Sequence, residues 1–341
     1  MKHLQNIWLL LDSKNTGGIE SHVLQLAQGL KNYNQCVTVV FLTDYGNHPL
    51  RDALVKNDID TITLDGKLIS LYKSISELKP CAIHTHGYKA GIYGRIAGTL
   101  CKTTLASTFH AGEITMGKLG FYCWLDRVSA FLADTIYAVS PQIASRLPER
   151  TRVVNNFVDT SKIPAKLDNI KASQIAFVGR LSPEKGPDYF ISLAQELSEL
   201  DFHIYGEGPM ENELRLSTPE NIHFHGQQNS MQSIWPKIEL LVMPSRHEGL
   251  PMAALEAMAH GIPVIATRVG ALDHLIDSGV NGWLSHPGDI KSMVTYIQNW
   301  KNMSNQKKDQ IKKAAKATVH QRFSTDSEIP GLIRNYKLIT N

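Results

Sequence analysis

The run Leu240-Leu-Val-Met-Pro-Ser-Arg-His-Glu-Gly-Leu-Pro-Met-Ala-Ala-Leu-Glu256 contains a strand, a loop and a helix start. Its apolar opening, Leu240–Met243, reads as a buried strand. Pro244 and Ser245 end that strand. Gly249 and Pro251 mark a tight turn, and Pro251 suits the first turn of a helix. Met252–Ala259 is rich in helix formers, and Gly261-Ile-Pro263 stops it. Glu248 therefore sits on a loop after a strand. Glu256 sits one turn into the next helix and can face the same cleft. Between them lies a helix N-terminus whose unpaired N–H groups favour an anion. Gly249, Leu250, Pro251 and Met252 are thus candidate binding residues. Carboxylates for hydroxyls beside amides for phosphate suit a nucleotide sugar. Taken alone, two such glutamates more often mark a solvated loop and a helix surface than a site.

A second cluster is Phe177-Val-Gly-Arg-Leu-Ser-Pro-Glu-Lys-Gly186. Gln174–Val178 reads as a strand and Pro187–Ser198 as a helix. Arg180 and Lys185 then lie on a loop at the carboxyl end of a strand, where ligands bind in open α/β sheets. Arginine can grip a diphosphate with a bidentate fork, and lysine adds a mobile point charge. Gly17-Gly-Ile-Glu20 follows a first strand at Ile7–Leu11. Gly17 and Gly18 would let the backbone approach a ligand closely. Thr108-Phe-His110 lies mid-chain, and Gly206-Glu-Gly-Pro209 follows another strand.

Together, in this order, these pieces resemble the retaining family-4 glycosyltransferases of the GT-B fold. The resemblance runs through nearly the whole chain. It implies two doubly wound Rossmann-like α/β domains facing a central cleft, with a nucleotide diphosphate sugar as donor. Arg180 and Lys185 match the diphosphate-binding pair. Glu248 matches the glutamate that contacts the transferred sugar, and Glu256 the one that holds the ribose hydroxyls. His110 matches a histidine beside the donor sugar, although a lone histidine is more often structural. Gly206 and Glu207 could line the base pocket. The pattern departs after the Pro263–Thr267 strand. Ala271 replaces one of two expected glycines, and His274 stands where a glutamate is usual.

Composition agrees with a soluble enzyme. The chain has 341 residues, 43% apolar and 20% charged, which fits two globular domains. Ile7–Leu11 is too short for a signal-peptide core, so a cytoplasmic protein is expected. Four cysteines without a Cys-x-x-Cys pair point to free thiols. Lys plus Arg minus Asp plus Glu is 17 − 13 = +4 over residues 1–165 and 18 − 19 = −1 over the rest. That bias is too weak for nucleic acid but compatible with an anionic membrane surface. No cofactor and no metal are expected. His84-Thr-His86 tempts as a metal pair but lacks an apparent third ligand. Asp58-Ile-Asp60 precedes its strand, unlike a metal-binding Asp-x-Asp.

Strands and helices alternate throughout, with strands expected at Ala82–His84, Thr104–Ser107 and Phe202–Tyr205 among others, as parallel sheets covered by helices require. The polar stretch Asp159–Lys171 suits a linker. Residues 1–165 form an acceptor-binding domain on this reading and 166–322 a donor-binding domain. Residues 323–341 form a helix that crosses back, with Tyr336 and Leu338 as packing candidates and Pro330 and Gly331 as interruptions. Gly117–Leu132 crowds Phe121, Tyr122, Trp124, Leu125, Val128, Phe131 and Leu132 beside Lys118 and Arg127. It reads either as a core-facing helix or as an interfacial helix that touches a membrane or a lipid-linked acceptor. Peripheral attachment at the inner face of the cytoplasmic membrane would follow from the second reading. The functional expectation is transfer from a UDP- or GDP-sugar to a glycan or lipid-linked acceptor in surface-polysaccharide synthesis. The alternatives are a sugar-nucleotide epimerase of related fold and a non-catalytic partner subunit.

Overall fold

A computed structural model describes residues 6–14, 17–110, 117–163, 172–228 and 230–337. The chain divides into two compact units, Met1–Phe157 with Thr325–Asn341, and Val158–Ser324. The division falls a few residues before the boundary expected from the polar stretch at 159–171. Leu338 lies outside the described residues.

In the first unit the strands are β1 (Asn6–Leu11), β2 (Cys36–Phe41), β3 (Asp60–Thr63), β4 (Ala82–His86), β5 (Thr104–Phe109), β6 (Thr135–Ala138) and β7 (Arg152–Val153). They pair in parallel in the order β3-β2-β1-β4-β5-β6-β7. The helices between them are α1 (Gly18–Asn32), α2 (Pro49–Lys56), α3 (Leu68–Leu78), α4 (Tyr88–Leu100), α5 (Gly117–Val128) and α6 (Pro141–Ala144). Parallel strands must be bridged by crossovers, and those helices bury both sheet faces. Strand β1 shows the result. Ile7, Leu9 and Leu11 enter one apolar cluster with Leu26 and Leu30 of α1. Trp8 and Leu10 enter the other, with Leu71 of α3 and Ala97 of α4.

The second unit repeats the plan with β8 (Gln174–Val178), β9 (Phe202–Tyr205), β10 (Ile222–Phe224), β11 (Ile238–Met243), β12 (Val264–Thr267) and β13 (Gly282–Ser285). Their order is β10-β9-β8-β11-β12-β13, again parallel. Its helices are α7 (Pro187–Glu196), α8 (Glu211–Leu216), α9 (Met252–Ala259), α10 (Leu272–Leu275), α11 (Ile290–Asn302) and α12 (Asn305–Arg322). In each unit the strand order reverses direction once, between β1 and β4 and between β8 and β11. The crevice at the carboxyl ends of those strands is where such sheets bind ligands.

The last helix, α13 (Thr325–Lys337), belongs to the first unit. Ile329, Leu332 and Tyr336 join the α1 side of its core. A Cβ at Gly29 would lie 2.7 Å from Ile329 Cδ1, so glycine allows α1 and α13 to approach. Pro330 does not interrupt α13 as its sequence implied. The helix continues through it, because burial of that apolar face outweighs one missing backbone hydrogen bond.

Candidate active site

In the second unit the site gathers at the β8/β11 crevice. Val178 ends β8, and the chain runs through Gly179 and the exposed Arg180 into a 3-10 turn at Pro183–Lys185. Met243 ends β11, and the loop to α9 holds Glu248. The two loops are stitched together. Arg246 donates to both carboxylate oxygens of Asp188, at 2.8 and 2.5 Å, and lies over the Tyr189 ring. The backbone N–H groups of Arg246 and His247 donate to the Glu184 carbonyl at 2.8 and 3.1 Å. This brace puts Lys185 against Glu248. Lys185 Nζ donates to Glu248 Oε2 at 2.6 Å, and Ser245 Oγ donates to Oε1 at 2.8 Å. The Glu248 side chain is 3% exposed and that of Lys185 is 30% exposed. Glu248 is therefore a buried ion-paired carboxylate, not a solvated loop residue.

Pro251 is the cap residue of α9, one position before the first turn expected for it. No side chain caps this helix, so its leading N–H groups remain available to an anion. Leu250 is buried, while Met252 is half-buried. Gly270 explains how the departure at Ala271 is accommodated. Its φ is +62°, and a Cβ there would collide with the Glu248 and Gly249 carbonyls. Ala271 has φ −105°, which any residue adopts, and its N–H donates to the Gly249 carbonyl at 2.9 Å. The glycine that the loop requires is the one retained.

Glu256 lies half-buried on α9. Burial pushes its carboxyl up to about 7, opposed by a hydrogen bond from the Trp235 side chain. The Gly206–Glu207 loop abuts the Arg180 loop. Leu181 N–H donates to the Glu207 carbonyl at 3.0 Å, and a Cβ on Gly206 would collide with the Gly179 carbonyl. Glu207 is exposed, and its Oε1 accepts from the Gln227 N–H at 3.1 Å. A cavity of about 500 Å³ lined by Arg215, Thr218 and His223 lies instead along the edge strand β10.

In the first unit Gly17 caps α1 and Gly18 opens it, directly after β1. His110 follows β5. It joins His22 of α1 and His86, the last residue of β4. His86 Nδ1 and His110 Nε2 share a hydrogen bond of 3.1 Å. His84 bonds Tyr336 Oη at 2.6 Å and Thr108 Oγ1 at 2.7 Å. Burial depresses all four imidazoles. His22 falls to about 4 and His84 to about 3, and His86 and His110 lie well below the ordinary histidine value. They are neutral at physiological pH. Sequence spacing paired His86 with His84 and missed His22, which only the α1 crossover brings near.

The α5 segment inverts the usual pattern. Phe121, Trp124 and Phe131 are 60, 51 and 64% exposed, and Tyr122 and Val128 are exposed with them. The polar residues Asp126 and Ser129 face inward instead, held by the buried Arg95 guanidinium at 2.5 and 2.9 Å. The core-facing reading fails for these aromatic residues. The Lys118 side chain lies outside the described residues.

Comparison with known proteins agrees with this fold. A family model described as Glycosyl transferases group 1 matches residues 172–301, and one described as Glycosyltransferase Family 4 matches residues 16–162. The UDP-Gal:alpha-D-GlcNAc-diphosphoundecaprenol alpha-1,3-galactosyltransferase of Escherichia coli is 30% identical over 75% of this chain and 76% of its own length. The O-antigen biosynthesis glycosyltransferase WbnH of Escherichia coli is 23% identical over 82% and 86%. The crystal structure of Anabaena Alr3699/HepE in complex with UDP superposes with a TM-score of 0.85 at 19% identity, covering 98% of this chain and all of that one. With two doubly wound parallel sheets and these matches across both, the chain belongs to the family-4, group 1 glycosyltransferases of the GT-B fold.

Proposed function

We propose that this glycosyltransferase moves a sugar from a nucleoside diphosphate sugar, UDP-linked in preference to GDP-linked, onto a glycan or lipid-linked acceptor in surface-polysaccharide synthesis. Transfer proceeds with retention and without a metal. The observation that carries this reading is the pairing of Lys185 with Glu248 on the loops after β8 and β11, beside the open α9 N-terminus. As the anomeric bond breaks, its electron pair leaves on the β-phosphate. Arg180, Lys185 and the N–H groups after Gly249 stabilise that charge. Glu248 orients Lys185 and accepts from sugar hydroxyls. Glu256 takes the ribose hydroxyls, and His110 supports the donor sugar. Gly17 and Gly18 allow close backbone approach.

The galactosyltransferase relative supports a UDP donor and a diphosphoprenol-linked acceptor. The exposed Phe121, Trp124 and Phe131 beside Arg127 support contact with an anionic membrane surface at the cytoplasmic face. Among the described residues no helix is long and apolar enough to cross a membrane.

The test is incubation with UDP-glucose, UDP-galactose, UDP-N-acetylglucosamine and GDP-mannose, with and without a diphosphoprenol-linked sugar acceptor. The expected result is acceptor-dependent release of UDP and a product with the donor's anomeric configuration. An inverted product would overturn retention. Donor rearrangement without acceptor would favour an epimerase.

A further inference from the structure

The three imidazoles in the first unit form a group that the transfer reaction does not fully use. One ring nitrogen from each of His22, His86 and His110 lies within 4.8 Å of the other two. The 3.1 Å between His86 Nδ1 and His110 Nε2 is close to the ~3.3 Å that separates two ligand nitrogens on a tetrahedral zinc with bonds of about 2.0–2.1 Å. His22 Nδ1 is buried and lacks a hydrogen-bond partner, a state that costs stability and asks for an explanation. His84 is different, because Tyr336 and Thr108 occupy both its nitrogens.

We propose that His22, His86 and His110 bind one borderline divalent cation of the zinc class, leaving its fourth position to water or an anion. Imidazole nitrogens without a carboxylate select this class over magnesium or calcium, which prefer oxygen ligands. Two ligands are fixed by rigid elements, since His86 ends a central strand and His22 lies on α1. The ion would engage His110, the residue assigned above to the donor sugar. Zinc is therefore an inhibitor of transfer and not its cofactor, a consequence that rests on the proposed function. Cation binding itself does not.

Cobalt titration of the metal-free protein tests it, read by visible d–d absorption with neither donor nor acceptor present. One equivalent of Co²⁺ should give intense bands typical of a four-coordinate site, and Zn²⁺ should bleach them. His22→Gln and His86→Gln should each weaken binding by roughly 10²-fold. His223→Gln removes the exposed histidine of β10 and should leave the bands intact. Melting curves and UDP binding by the second unit report whether each variant is folded. No bands in the wild type, or bands that survive in folded His22→Gln and His86→Gln, would overturn the site. Zinc binding without loss of transfer would overturn only the inhibitory consequence.

Discussion

Replacing Lys185 with alanine should affect both stability and catalysis. Its Nζ supplies the only cation recorded on the Glu248 carboxylate among the described residues, at 2.6 Å, and that side chain is 3% exposed. Removing it leaves a buried carboxylate with the Ser245 hydroxyl on one oxygen. The unpaired group costs ~1–3 kcal/mol. At roughly 2–4 °C per kcal/mol for a domain of this size, Tm should fall by about 2–12 °C. Turnover should fall by at least ~10²-fold, since charge on the departing diphosphate loses a partner. Glu248→Gln behaves differently in the melt. The neutral amide fits the same space, and Lys185, 30% exposed, keeps water as an alternative. The double variant Lys185→Ala, Glu248→Gln should therefore melt above Lys185→Ala alone, while remaining inactive. Calorimetry on all four proteins gives the coupling energy directly. A Lys185→Ala protein that melts with the wild type, or a double variant whose losses simply add, refutes the buried ion pair.

Glu256, with its carboxyl raised to about 7 by burial, should make nucleotide-sugar affinity depend on pH. Ribose hydroxyls donate to the ionised form, so affinity should rise roughly tenfold per unit up to about pH 7 and then level, with Glu256→Gln flat and weaker by isothermal calorimetry. Because the folded value exceeds the unfolded one, the stability that Glu256 contributes to the ligand-free protein is fully present below about pH 4.5. That contribution should be lost as pH climbs from there through about 7, and Glu256→Gln should remove this part of the slope in a melting series. Turnover should survive EDTA; loss restored by magnesium or manganese would falsify the metal-free mechanism. Phe121→Ser with Trp124→Ser should abolish co-sedimentation with anionic vesicles while changing stability by no more than ~0.5 kcal/mol, since both rings are exposed. Wild-type binding should weaken with salt, as charges are screened over ~10 Å at about 0.1 M.

Much of the fold was legible because each parallel strand is a short apolar run bounded by turn residues. Gln174–Val178 and Phe202–Tyr205 coincide with the observed strands. His86 and Phe109 extend β4 and β5 beyond the expected ends, since burial continues past the last aliphatic residue. Pro330 misled because proline statistics are local, while the α13 face is held by α1 from far away in sequence. Gly117–Leu132 misled in part for the reverse reason. Its aromatic crowding has no sign, and only the pull of Arg95 on Asp126 shows which face turns inward.

The candidate site divides along the same line. Its candidate residues were readable wherever one short segment carries them, as with Arg180 and Lys185, or Glu248 and Glu256. What could not be read is what joins two loops. The Arg246–Asp188 brace links residues far apart in sequence, and it turns a loop lysine into the partner of a buried glutamate. Trp235 bonds Glu256 from a 3-10 turn before β11. His22 reaches His86 and His110 only because α1 returns over the sheet beside β4. Each of these contacts changes a functional expectation. The brace makes Lys185 a stability residue as well as the proposed phosphate ligand. Burial puts Glu256 in the physiological titration range, against the Trp235 bond, which favours the ionised form. The α1 crossover converts an unremarkable His-x-His string into three imidazoles at chelating distance. In this chain sequence identifies the candidate groups, and long-range packing sets the charge state that they hold.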